Sequence, residues 1–176
     1  MRRALILLLV PVLALCGCAN YTWTSSVPHD LRTVCVPTFR NETDVTELGA
    51  VATRQVLREF QREGTFKLAL ADDAAVEVQG VLKSAPVGTL SYKRETSLRA
   101  YEHRFHVYAE VSLVDRRSGK VLVDNRKYEA STTFFSDSDV VTAARDASGR
   151  LAEDLARQIV DDVVGYDWNG RSKGRE

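Results

Sequence analysis

Phe105-His106-Val107-Tyr108-Ala109-Glu110-Val111-Ser112-Leu113 alternates apolar and polar side chains without a break, the period of a β-strand with one buried and one wet face. Asp115-Arg116-Arg117-Ser118-Gly119 follows as a hairpin connection, and Val121 to Thr132 returns as the partner strand. Upstream, Val76, Val78, Gly80 and Leu82 alternate with Glu77, Gln79 and Lys83, which predicts another strand of the same sheet. Pro86 and Gly88 interrupt that pattern. Ser91 to Arg104 is polar, rich in arginine and lysine and poor in periodicity, so it reads as a long loop or hairpin tip.

A sheet with one apolar face needs a cover, and the chain supplies two. Val140, Ala144, Ala147, Leu151, Leu155, Ile159 and Val163 form one stripe of a long helix, with cap candidates in Ser136–Asp139 and a stop at Gly165. Trp168 is placed to pack back on the domain. In the first half, Leu31 to Phe39 reads as a strand that Pro37 cuts short. Asn41-Glu42-Thr43-Asp44, with Glu47 in capping-box spacing from Asp44, predicts a helix start. Val45, Leu48, Ala52, Val56 and Phe60 give its apolar stripe, Gly49 weakens its beginning, and Gly64 ends it. Phe66, Leu68 and Leu70 then form a second strand, expected parallel to the first. The order β-α-β-β-β-β-α predicts an α+β two-layer sandwich, with two helices packed on one face of a mixed sheet of about four or five strands.

The N-terminus carries a different message. Arg2 and Arg3 precede about a dozen apolar residues from Ala4 to Leu15, enough for a signal peptide and too short to span a bilayer. Leu15-Cys16-Gly17-Cys18 closes the run as a lipobox, with small Gly17 before the cleaved bond. Cys18 is therefore the expected lipid-attachment residue, carrying acyl chains at roughly 0.8 kcal/mol per buried methylene. Ala19 and Asn20, with no Asp directly behind the cysteine, direct the expectation to the periplasmic face of an outer membrane. The predicted organisation is a signal peptide over 1–17, a lipidated N-terminus and tether over 18–30, one domain over 31–168 and a charged, disordered tail over 169–176. Cys16 leaves with the signal and Cys18 is lipidated, so Cys35 has no disulfide partner and reads as a small buried hydrophobe.

Charge excludes some classes. The whole chain has 24 basic and 24 acidic residues, a balance with no bias toward nucleic acid. There is no Gly-x-Ser-x-Gly, phosphate-binding glycine loop, Cys-x-x-Cys or His-Glu-x-x-His, so no catalytic residue, metal site or cofactor is nominated, and the chain is not expected to be an enzyme. His103 and His106, three apart on a strand, point to opposite faces and cannot share an ion; they read as solvent-facing. Lys83, Lys93, Arg94, Arg99 and Arg104, interleaved with Tyr92 and Tyr101, fit either a grip on a phosphorylated amphiphile or a solvated hairpin tip.

The order and spacing of these elements resemble the lipopolysaccharide-assembly lipoprotein family LptE. The resemblance is carried by Gly17-Cys18-Ala19-Asn20-Tyr21, by Val34 to Thr43 (VCVPTFRNET), by the helix ending Phe60-x-x-x-Gly64, by Val76-Glu77-Val78-Gln79-Gly80, and by Ala152-Glu153-Asp154-Leu155-Ala156 in the last helix. In this chain two residues separate the cysteine from the aromatic, which in the family often follows sooner. The resemblance implies a plug inside the large outer-membrane barrel LptD that helps assemble it and contacts lipopolysaccharide during delivery to the cell surface. It also implies lipopolysaccharide contacts at Arg94, with Lys93 and Arg99 as neighbours. Pro37-x-Phe39-x-Asn41-x-Thr43 resembles as well the first strand of curli-type and cell-wall-synthase-activator lipoproteins, which would make the chain an activator or scaffold of another envelope machine.

Overall fold

The computed structural model describes residues 27–93, 99–136 and 138–168, with the backbone alone at 91–93 and 99–101. The alternating stretch lies in the 17-residue strand β6 (Arg99–Asp115). Phe105, Val107, Ala109, Val111 and Leu113 are each at most 3% exposed, and the residues between them are half-buried or exposed. That is the signature of a strand covered on one face only.

On one side β6 pairs antiparallel with β7 (Lys120–Phe135). On the other it pairs antiparallel first with β4 (Val76–Ser84) and then with β5 (Val87–Lys93). β1 (Thr33–Cys35) and β2 (Arg40–Asn41) both run parallel to β4, and β3 (Lys67–Leu68) runs parallel to β1 at the margin. The parallel βαβ pairing is as expected: Thr33 faces Lys67 and Val34 faces Leu68.

The α+β class and the two helices on one face agree with the sequence, but the sheet has seven strands rather than four or five. The seven fill five lanes, in the order β3, β1 with β2, β4 with β5, β6, β7. Pro37 lacks an N–H and breaks the first shared lane. Pro86 breaks the second without moving it, since pairing along β6 runs on from Ser84↔Tyr108 to Val87↔Phe105. The polar segment read as a long loop or hairpin tip is hairpin where it is described: 91–93 end β5 and 99–104 begin β6. No burying layer covers the described side chains of β5: Val87 to Leu90 are all exposed, so no alternation marks this strand.

The helices are α1 (Leu48–Glu63) and α2 (Val140–Val164). α2 starts as expected, with the Asp139 side chain accepting from the Thr142 N–H at 3.0 Å. α1 does not use the capping box. Glu47 stands at its N-cap with no side-chain bond, and Asn41 organises the entry instead. Its Oδ1 accepts from the Thr43 N–H at 3.1 Å and its Nδ2 donates to the Val45 carbonyl at 2.8 Å. The first turn is set by contact: a Cβ on Gly49 would lie 2.7 Å from the Phe39 carbonyl oxygen. Gly64, at φ +83°, ends α1. Trp168 packs back as predicted, its indole N–H donating to the Val163 carbonyl at 3.0 Å and its ring centroid 5.6 Å from that of Phe66.

Candidate binding surface at the β5–β6 hairpin

Both helices begin at the same end of the sheet, where β5 and β6 carry on beyond them. Between the helix starts and the base of the hairpin lies a groove of about 700 Å³. Val45, Leu48 and Val51 wall it from the α1 side, Val140, Val141 and Ala144 from α2, and Val87 of β5 closes it; Asp44, Glu47 and Arg145 stand at its rim. Val141 is 72% exposed although it starts a helix in the core layer. An aliphatic cleft with a few charges at the margin suits an apolar side chain or an acyl chain. Sequence reading missed it because its walls come from three distant segments. The available signal was Val140-Val141 continuing the apolar run outside the buried stripe.

Of the sequence-predicted site residues, Cys18 and Arg94 lie outside the described residues. Lys93 and Arg99 are brought together: they face each other on the last described rung of the hairpin. Like charges directly opposite do not strengthen a strand pair. Lys83 is engaged elsewhere, its Nζ lying 2.5 Å from Glu42 Oε2 at the C-terminal end of β4. Arg104 is exposed on the opposite face of β6 from Phe105.

The histidines do point to opposite faces, yet His103 corrects the solvent-facing expectation. It is 3% exposed, stacks on Phe134 with centroids 5.2 Å apart, and its Nε2 lies 3.2 Å from the Ser136 carbonyl oxygen. It shares the inward parity of Phe105. His106 lies on the outer face, with Nδ1 3.1 Å from Glu129 Oε1. Among the described residues no group of three His, Cys, Asp or Glu could hold a metal ion.

Cys35 is buried and free, as read from the sequence. Burial, and then the Glu77 carboxylate to which its thiol donates at 3.9 Å, push its pKa up, so it is a poor nucleophile. Burial alone would raise the Glu77 pKa as well. Hydrogen bonds from Gln79 and Arg116 outweigh that effect and hold it below the ordinary carboxylate range. A depressed folded-state pKa contributes stability above the unfolded value that is lost as pH falls through the folded one. Arg116→Met should therefore lower Tm at pH 7, and the gap to the wild type should close below about pH 4. Thermal melts across that range check it.

Pro37-x-Phe39-x-Asn41-x-Thr43 has an architectural use. Phe39 is buried against Gly80, where a Cβ would sit 2.5 Å from the ring, and its N–H donates to Thr53 Oγ1 at 2.9 Å. Asn41 and Thr43 fold the entry to α1. A motif spent on packing does not discriminate between lipoproteins that share it, so evidence of kinship has to come from the whole chain. The model of the family described as LptE, lipopolysaccharide-assembly, matches residues 31–163. The chain belongs to the LptE family.

The match spans every strand and all but the last residue of α2. Solved structures give the fold of this LptE-family domain wider company. A hypothetical protein from Chlamydia trachomatis is 17% identical with a TM-score of 0.54, covering 77% of this chain and 96% of that one. A Caulobacter crescentus protein assigned as a lipoprotein is 17% identical with a TM-score of 0.50, covering 77% and 90%. A neuraminyllactose-binding hemagglutinin homolog from Helicobacter pylori is 10% identical with a TM-score of 0.51, covering 79% and 86%. No curated protein sequence matches. Such distant likenesses share a fold across differently named proteins and say nothing more.

Proposed function

We propose that this chain is an outer-membrane lipoprotein, anchored through Cys18, that sits as a plug in an LptD-type barrel, helps assemble it and contacts lipopolysaccharide through the β5–β6 hairpin. The observation that carries this reading is membership of the lipopolysaccharide-assembly family over the whole domain. The surface is compatible with a water-filled barrel lumen. Its ion pairs are dispersed, from Arg117 with Asp30 to Arg126 with Asp162 and Arg157 with Glu153 and Asp154. Among the described residues no helix is long and apolar enough to cross a membrane. Lys93 and Arg99, held opposite each other, suit the phosphates of lipid A, because an anion between two cations relieves their repulsion.

Purification of the detergent-solubilised protein should bring down a large β-barrel. Recovery of a cell-wall synthase or a secretion pore in its place would overturn the reading. Cys18→Ser should leave the precursor uncut and unacylated by intact-mass analysis. A mature, lipid-free product of normal size would remove the anchor from the account.

A further inference from the structure

The two long margins of the sheet are treated differently. β7 lies open on its outer side, but α2 reaches over it. Gln158 Nε2 donates to the Glu129 carbonyl at 3.0 Å and Arg150 to the Thr133 carbonyl at 3.4 Å, two outward acceptors four residues apart. Charged Arg126, Lys127 and Glu129 line the same margin. A strand edge blocked in this way does not pair with another chain.

β5 has no such protection. The lane beside it ends at Glu42, whose N–H donates to the Leu82 carbonyl at 2.9 Å, and the chain then turns away toward α1. The Pro86 carbonyl accepts from the His106 N–H at 3.0 Å, which fixes the alternation of the ladder. Val87 and Thr89, opposite Phe105 and His103, therefore turn their N–H and C=O groups away from β6. No described residue meets them. Neither proline nor charge guards Val87 to Leu90, and Val87 and Leu90 are 39% and 44% exposed. The aliphatic groove runs alongside, so the missing lane has both a backbone template and pockets for side chains.

We propose that the free edge of β5 receives an extended segment of the barrel partner, paired with Val87 and Thr89 and seating aliphatic side chains between Val45 and Val140. This rests on the barrel-plug reading and names the surface it would use. The described ends of the domain lie away from the slot: Asp30 is tied to Arg117 at 2.8 Å, at the far turn of the sheet, and Trp168 packs beside Phe66 at that same end. At the rim, Asp44 and Glu47 form no ion pair among the described residues, and these two carboxylates favour a basic residue in the incoming segment.

The test uses the full-length acylated protein in cells. A photo-crosslinking residue at Leu90 should capture the barrel, with the adduct mapping to one extended segment. Thr89→Pro removes an outward donor while sparing the bonds to β6, and should cut the recovered barrel by about tenfold with Tm held near the wild type. Thr89→Val, which keeps the backbone donor, should recover as much barrel as the wild type. If wild-type protein brings down no barrel, the functional reading fails. If it does, but Thr89→Pro recovers as much and Leu90 captures nothing or a second copy of this chain, the edge proposal fails alone.

Discussion

Truncating Phe39 to alanine is expected to remove about 3–5 kcal/mol of folding stability, a fall in Tm of roughly 10–20 °C. The ring is 2% exposed and lies flat where Gly80 leaves room for it, with three ring atoms within 2.6 Å of the position a Cβ would take. Its main chain is equally committed. The N–H donates to Thr53 Oγ1, that hydroxyl donates on to the Gly49 carbonyl at 2.8 Å, and the Phe39 carbonyl crowds Gly49 itself. One residue thus fastens the first lane of the sheet to both β4 and the first turn of α1. Gly80→Ala should also destabilise, by about 1–3 kcal/mol, because the ring cannot withdraw from a close-packed core. The two changes share one volume, so together they should cost less than their sum by at least about 1 kcal/mol. Urea titrations of the four proteins measure this, and strict additivity would mean that the ring does not depend on the missing side chain.

That wedge marks the boundary of what the sequence reveals. Phe105 to Leu113 and the α2 stripe are legible because each element has one buried face, and burial writes its period into the residue types. Gly80 was legible only as one more inward position of β4; that it is glycine because Phe39 fills its place depends on a residue 41 positions earlier. The α1 start was misread for a related reason. Asp44 and Glu47 have the spacing of a capping box, yet packing of Gly49 on Phe39 outweighs local capping and leaves both carboxylates at the groove. β5 shows the opposite failure: its described side chains, Val87 to Leu90, are all exposed, so burial writes no period into them. His103 was hidden by its chemistry: parity places it beside Phe105 in the core, and its ring is satisfied there by Phe134 and the Ser136 carbonyl. The grouping of Lys93 with Arg99 was half legible, as a basic composition without the register that sets them face to face.

Reversing charge at the hairpin tip should separate a ligand site from a solvated surface, because the two readings predict different pairs of outcomes. In Arg94→Glu combined with Arg99→Glu, the new carboxylate at 99 faces Lys93 across the last described rung. An opposed pair replaces a like pair, so stability should stay level or rise by a few tenths of a kcal/mol. Binding of purified lipopolysaccharide should move the other way. Each charge-assisted contact to a phosphate contributes about 1.5–3 kcal/mol, so losing two should weaken affinity by roughly 100-fold or more. The wild type should approach the variant as salt rises toward 1 M, where the Debye length shrinks to about 3 Å. Lys93→Glu alone should reproduce the sign of both effects at smaller size, since it too converts the rung to an opposed pair. A rise in Tm with unchanged affinity at low salt would show that the cations serve no phosphate, leaving lipopolysaccharide to be met elsewhere on the domain.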